Sequence, residues 1–167
     1  DVEIREQHPC FSRLVLSRGS AEPVVTVDLG VDWRAEEPVR LAVGPVLAPD
    51  DAVGNKVAAL FSRGEARDYL DVDRIRASGR YRDRRLIERG HRADLGFEIT
   101  QFVRRLEEVG RIQPFEVAIY EVSPEQLQAV EDRCLAWARE LCTRPVDDPL
   151  PPRGQDADSD GMPDPRN

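Results

Sequence analysis

An α+β fold is expected from three observations. A period-two apolar pattern runs through residues 23–32, helix-period apolar spacing begins near residue 49, and a proline-, glycine- and aspartate-rich stretch follows residue 143. In Pro23-Val-Val-Thr-Val-Asp-Leu-Gly-Val-Asp32, Val25, Val27, Leu29 and Val31 share one face, which should belong to a core. Thr26, Asp28, Gly30 and Asp32 share the other, so two aspartates project from its polar side. The apolar run Phe11–Ser17 ends at a turn signal, Arg18-Gly19-Ser20, and a third short strand is expected over Val39–Val43.

The first helix should be capped by Asp50 or Asp51, run to about Arg63 and stop at Gly64. Val53, Val57, Leu60 and Phe61 form its apolar stripe, flanked on one side by Lys56 and Arg63. A second helix, Glu65 to Ala77, carries Arg67, Asp68 and Asp71; Arg67 and Asp71 stand at i, i+4 and so can pair. Further helices are expected at Arg82–Arg92, Phe97–Val109 and Pro124–Cys142, with a strand over Phe115–Val122. The organisation is then a sheet region over residues 1–48, a helical region over 49–143 and a disordered acidic tail over 144–167.

A chain of 167 residues, 40% hydrophobic, is long enough to bury one sizeable core. No apolar run approaches the ~20 residues that span a bilayer and no signal-peptide pattern opens the chain, so a cytoplasmic protein with no membrane partner is expected. Cys10, Cys134 and Cys142 are expected to be reduced and mostly buried; the last two, eight apart on one helix, cannot pair with each other. The start at Asp1, without methionine, fits a fragment or a processed form.

Charge is unevenly spread. The net charge is −8, and half of it comes from the tail from Asp147 onward, with six aspartates against two arginines. Between Arg74 and Arg92 stand eight arginines and two acids, either a solvated helical face or a surface for a phosphate-bearing partner. Of 24 basic residues Lys56 alone is lysine. Where the sequence otherwise writes arginine, a lysine marks a place for a compact, strongly hydrated ammonium, or else chance.

Other chemistries find little support. His8 and His91 lie near no serine or cysteine in a catalytic setting, no Walker or dinucleotide glycine pattern occurs, and no cysteine or histidine pair has zinc-finger spacing. Asp156-Ala-Asp158-Ser-Asp160-Gly161-Met-Pro-Asp164 matches the first half of a calcium loop. Without a later bidentate acid or a flanking helix, it reads as a solvating acidic tail.

The stretch from Asp51 to Val72, with Lys56, Arg63-Gly64 and Arg67-Asp68-Tyr-Leu-Asp71, resembles the helix pair of AbiEii/AbiGii-type nucleotidyltransferase toxins of type IV toxin–antitoxin systems. Val27-Asp28-Leu-Gly-Val-Asp32 resembles that family's strand with a later acidic position, and Ala93-Asp-Leu-Gly-Phe97 also fits; the likeness spans roughly residues 11–110. It implies a bacterial protein, with residues 1–48 part of a nucleotidyltransferase sheet. It also implies transfer of a nucleotide from an NTP to RNA, tRNA above all, with Mg2+ as cofactor and a cognate antitoxin as partner. Nucleotidyl transfer needs carboxylates for metal ions and cations for the triphosphate. Asp28 would be a metal-holding or base-like carboxylate and Lys56 the triphosphate contact. Asp71 would complete the site, with Arg63, Arg67, Asp68, Arg82 and Arg85 binding substrate. The family's first hairpin, Gly-Ser followed by Asp-x-Asp, has no counterpart here: Asp71-Val-Asp73 and Asp156-Ala-Asp158 lie on a helix and in the tail. The alternative is a catalytically inactive remnant that binds an antitoxin or another protein.

Overall fold

The computed structural model describes residues 1–18, 21–31 and 34–143. The architecture is α+β. Three antiparallel strands, β1 (Val2–His8), β2 (Phe11–Arg18) and β3 (Ala21–Gly30), form a meander in the order β1-β2-β3, and a small hairpin pairs β4 (Val39–Leu41) with β5 (Gly44–Val46). Helices α1 (Pro49–Ser62), α2 (Ala66–Ala77), α3 (Asp83–Ala93), α4 (Ile99–Glu107), α5 (Pro114–Val117) and α6 (Pro124–Thr143) follow, with 3-10 turns at Glu108–Arg111 and Ala118–Tyr120. The chain divides into two compact units between Arg34 and Ala35, so the residue-48 boundary expected above falls inside the second. The β4–β5 hairpin groups with the helices, and Asp51 helps to fix the chain leading into it. Its carboxylate accepts the backbone N–H groups of Ala35 and Glu36, each at 3.1 Å.

The first unit departs from the expected half-buried sheet. Val25, Leu29 and Val31 are 49, 54 and 78% exposed, so the face expected in a core is not buried. Every apolar core residue among those described comes from Ala48 onward. β1 carries only Val2 and Ile4 as apolar residues and is exposed along its whole length, so no sustained apolar alternation marks it as a strand. The strand expected over Val39–Val43 stops at Leu41. Gly44 takes φ +116°, a left-handed turn, and sends the chain back as β5.

In the second unit the stripe of α1 is buried as its spacing predicts: Val53, Val57, Leu60 and Phe61 all enter the core. Each such side chain contributes about 1.5–3 kcal/mol when removed from water. A row of aromatic rings carries the core across the helices. Phe61 lies 4.8 Å from Phe97, Phe97 5.2 Å from Phe102, and Phe102 5.3 Å from Trp137 on α6. Tyr69 of α2 donates its hydroxyl to the Arg105 carbonyl at 2.6 Å, tying α2 to α4.

Two local expectations are corrected. Neither Asp50 nor Asp51 caps α1. Ala48 is the cap and Pro49 occupies the first turn, where its missing N–H costs nothing, so both aspartates fall inside the helix. The strand expected over Phe115–Val122 is helical. Pro114 opens a turn in which the Glu116 carboxylate accepts the Gln113 N–H at 2.7 Å, and Glu121 ends it at φ +57°. The alternating apolar residues mislead: Val117 is fully buried, while Phe115 and Ile119 are 78 and 82% exposed.

All three cysteines are free, but only Cys134 is buried; Cys10 and Cys142 are exposed, against the expectation that most would be inside. Burial, reinforced by nearby Asp73, pushes the Cys134 thiol up to about 12, and burial raises the Tyr69 and Tyr81 hydroxyls to about 12. These acids stay protonated in the folded chain while the unfolded chain ionises from about pH 9. Their contribution to stability is therefore complete below pH 9 and is lost as pH rises toward 12. Urea unfolding midpoints should fall steadily between pH 9 and 11. A midpoint unchanged over that range would contradict the burial of these groups.

No described helix is long and apolar enough to cross a membrane. The residue 144–167 tail and its calcium-loop pattern lie outside the described residues, as does Asp32.

Candidate functional site

The α1–α2 hairpin brings together most of the residues singled out above. Its turn is fixed by Gly64, which takes φ +58°, a conformation a side chain would strain. Arg111 donates to the Gly64 carbonyl at 2.5 Å, so the turn is also held from α4's C-terminal extension. Arg63, just past α1, reaches forward to Asp68 with a two-pronged contact, Nε at 2.9 Å and Nη2 at 2.8 Å. The same carboxylate accepts the Glu65 backbone N–H at 3.0 Å. Asp68 is fully buried. Burial raises its pKa, but the Arg63 fork and the Glu65 N–H outweigh that and hold it below the usual carboxylate range. Asp68 is thus the pin of the hairpin, and Arg63 stays 44% exposed on its outer side.

On this hairpin Lys56 extends from α1 to Asp71 on α2, Nζ to Oδ2 2.8 Å. The side chains are 46 and 33% exposed, so the ammonium is oriented by its partner yet open to solvent. A pair this exposed is worth about 0–1 kcal/mol, too little to be the reason for a lone lysine in an arginine-rich chain. The expected Arg67–Asp71 pair does not form. Arg67 turns back to Glu65 at 3.3 Å, because Asp71 faces α1 and its lysine.

Asp28 belongs to the three-stranded unit. Both of its oxygens accept from Arg13 on the neighbouring strand, at 2.7 and 2.8 Å, and this holds its pKa low. The register explains the partner. Counting back from the Arg18↔Ala21 pair alone would set Arg13 opposite Thr26, but an irregularity between Leu16 and Arg18 moves it opposite Asp28. A carboxylate with a depressed pKa is a weak base, so of the two expected roles holding a cation suits it better than taking a proton.

The arginine-rich segment is not the continuous basic face that its composition suggests. Arg76 binds Asp83 at 2.8 Å and Glu140 at 2.9 Å, and Arg84 binds Glu88 at 2.9 Å. Arg85 binds Asp50 at 3.1 Å, Arg89 is 5% exposed between Asp50 and Glu36, and Arg92 also approaches Glu36. Asp50 further accepts the Tyr81 hydroxyl at 2.8 Å. Arg82 precedes α3 and is exposed with no ion pair among the described residues; Arg85 is engaged. Sequence reasoning missed this network because Glu36, Asp50 and Glu140 are remote in the chain.

A cavity of about 240 Å3 lies between α2 and α6, lined by Asp73, Arg76, Ala77, Asp83 and Arg133. Its charged groups satisfy one another, Asp73 with Arg133 at 2.7 Å and Asp83 with Arg76, and neither Lys56 nor Asp71 lines it.

No protein-family model matches the sequence, and comparison with curated proteins and with solved structures gives no match either.

Proposed function

We propose that the α1–α2 hairpin is the triphosphate-binding element of a nucleotidyltransferase of the toxin type, moving a nucleotide from an NTP to RNA. The sequence resemblance suggests tRNA as acceptor, the cytoplasm as workplace and a cognate antitoxin as partner. One observation carries the reading: the only lysine of the chain is held at 2.8 Å by Asp71, half exposed, on a hairpin pinned by a buried carboxylate.

In the reaction an RNA hydroxyl oxygen attacks the α-phosphorus, the bond from that phosphorus to the oxygen bridging to the β-phosphate breaks, pyrophosphate departs with the bonding electron pair, and the hydroxyl proton passes to solvent. Lys56 would supply a compact cation to the β- and γ-phosphates, and Asp71 keeps the ammonium aimed until phosphate oxygens replace it. The outer edge of Arg63 offers a second cation seven residues further on, just past α1.

The expected Mg2+ cofactor is a poorer fit to the residues present. Asp28 is bound through both oxygens to Arg13, and among the described residues no group of three His, Cys, Asp or Glu side chains is placed to hold a metal. Magnesium would enter with the triphosphate.

Labelled NTPs incubated with tRNA, Mg2+ and the chain, together with whatever sequence precedes Asp1 in its gene, test the proposal. Lys56→Ala should lower transfer about 100-fold or more, with the unfolding midpoint nearly unchanged because the pair is exposed. Lys56→Arg should restore only part of the loss, a planar fork being a poor substitute for a point charge. No transfer by the unaltered protein, or full transfer by Lys56→Ala, would overturn the reading. The engagement of Asp28 by Arg13 favours the second reading, a catalytically inactive module binding an antitoxin or another protein. That reading predicts partner binding and cellular effect untouched by Lys56→Ala, and growth arrest abolished by this substitution would exclude it.

A further inference from the structure

We propose that the elbow between α2 and α3, through Arg74, Arg80 and Arg82, is the surface that grips the RNA acceptor's phosphate backbone. The inference rests on the nucleotidyl-transfer reading for the identity of the partner, but its geometry is independent of Lys56. Of the eight arginines between residues 74 and 92, Arg76, Arg84, Arg85, Arg89 and Arg92 are held by carboxylates of the same unit. The remaining three are exposed and make no ion pair among the described residues, and they fall within nine positions across one connection. Arg74 stands in the last turn of α2, Arg80 in the connecting turn and Arg82 at the cap of α3.

The backbone of the elbow is ordered by its own bonds. Ser78 Oγ donates to the Ile75 carbonyl at 2.6 Å and accepts the Arg80 N–H at 3.3 Å. The acids nearby are already engaged: Asp83 and Glu140 bind Arg76, and Asp73, nearly buried, binds Arg133. Arg76 thus occupies the carboxylates of both Asp83 and Glu140. On a chain of net charge −8, most of the surface repels a polyanion, and this elbow is a place where it can land. Guanidinium forks match phosphate oxygens two at a time, which suits a backbone grip without base reading.

The test is tRNA binding by fluorescence anisotropy across a salt series, without NTP, beside the transfer assay. The variant R74Q/R80Q/R82Q should bind at least about tenfold more weakly and flatten the plot of log affinity against log salt by about 2–3, as loss of three phosphate contacts requires. In the transfer assay it should raise the KM for tRNA and leave the KM for NTP unchanged. A control, R5Q/R104Q, removes arginines elsewhere and should leave the salt slope near that of the unaltered chain. Unchanged binding and slope in the triple variant would overturn the elbow while leaving nucleotidyl transfer standing. Absence of tRNA binding by the unaltered chain at low salt would overturn both. Binding of poly-glutamate with the same three-arginine dependence, and not of tRNA, would replace RNA by an acidic protein surface and so overturn the proposal.

Discussion

Replacing Trp137 by alanine is expected to remove about 3–5 kcal/mol of stability, a large part of the ~5–15 kcal/mol that holds a domain of this size together. The indole is 2% exposed, the largest fully enclosed side chain among the described residues. It meets Phe102 edge-on, ring planes at 81°, and carries the Arg76 guanidinium 4.9 Å above its own ring. Alanine would leave a cavity between α4 and α6 and strip that guanidinium of its apolar support. Phenylalanine should cost less than half as much. The indole Nε1 is buried with no acceptor among the described residues, so deleting this N–H removes a desolvation penalty of about 1–3 kcal/mol that offsets part of the lost contact. Urea unfolding followed by far-ultraviolet circular dichroism gives the comparison. Equal losses for the two substitutions would mean that ring volume is not what the site requires. Because Arg76 also holds Asp83 and Glu140, Trp137→Ala should weaken RNA binding beyond its effect on folding.

The helical half of the fold was legible because its elements carry apolar stripes long enough to reveal their period, and Gly64 marked the end of α1 unambiguously. Residues 115–122 were not, since Phe115, Val117 and Ile119 alternate as a strand would. The decisive signals were chemical rather than periodic: a proline at the first turn and a Gln113–Glu116 pair at capping distance. The β3 alternation was read correctly as a strand, yet alternation reports which residues share a face and not whether anything covers it. In the candidate site Lys56 stood out by composition alone. Asp71 was singled out through the family resemblance, which set it across the hairpin from Lys56; the i, i+4 rule, which sees only contacts along one helix, had paired it with Arg67 instead. Asp68 looked like a substrate ligand and proved fully buried under Arg63, which no spacing argument reveals. The arginine count was accurate, but which arginines are engaged depends on carboxylates up to 64 residues away, as between Arg76 and Glu140.

A different limit on substitution is set where α1 crosses α3. A Cβ at Gly90 would lie 2.6 Å from Val57 Cγ1 and 3.0 Å from a Phe97 ring carbon, and one at Gly54 would lie 2.8 Å from the Arg89 carbonyl oxygen. In a free helix glycine-to-alanine gains about 1 kcal/mol from propensity. Here overpacking, about 1–3 kcal/mol and sometimes more, is expected to outweigh it at both positions. The two differ in what can yield. At Gly90 the obstacle is mainly a side chain, so Val57→Ala removes the offending methyl, and the double variant should be more stable than the two separate losses add up to, by about 1 kcal/mol. At Gly54 the obstacle is backbone: no trimming of a neighbour relieves it, and Gly54→Ala should force α1 away from α3. Lys56 lies two residues further along α1, so that displacement should also misplace its ammonium relative to Asp71 and depress nucleotide transfer in protein that still folds. Strictly additive losses at Gly90 and Val57 would show that the helices do not meet there. Full transfer by a folded Gly54→Ala chain would separate the α1–α3 contact from the aim of the lysine.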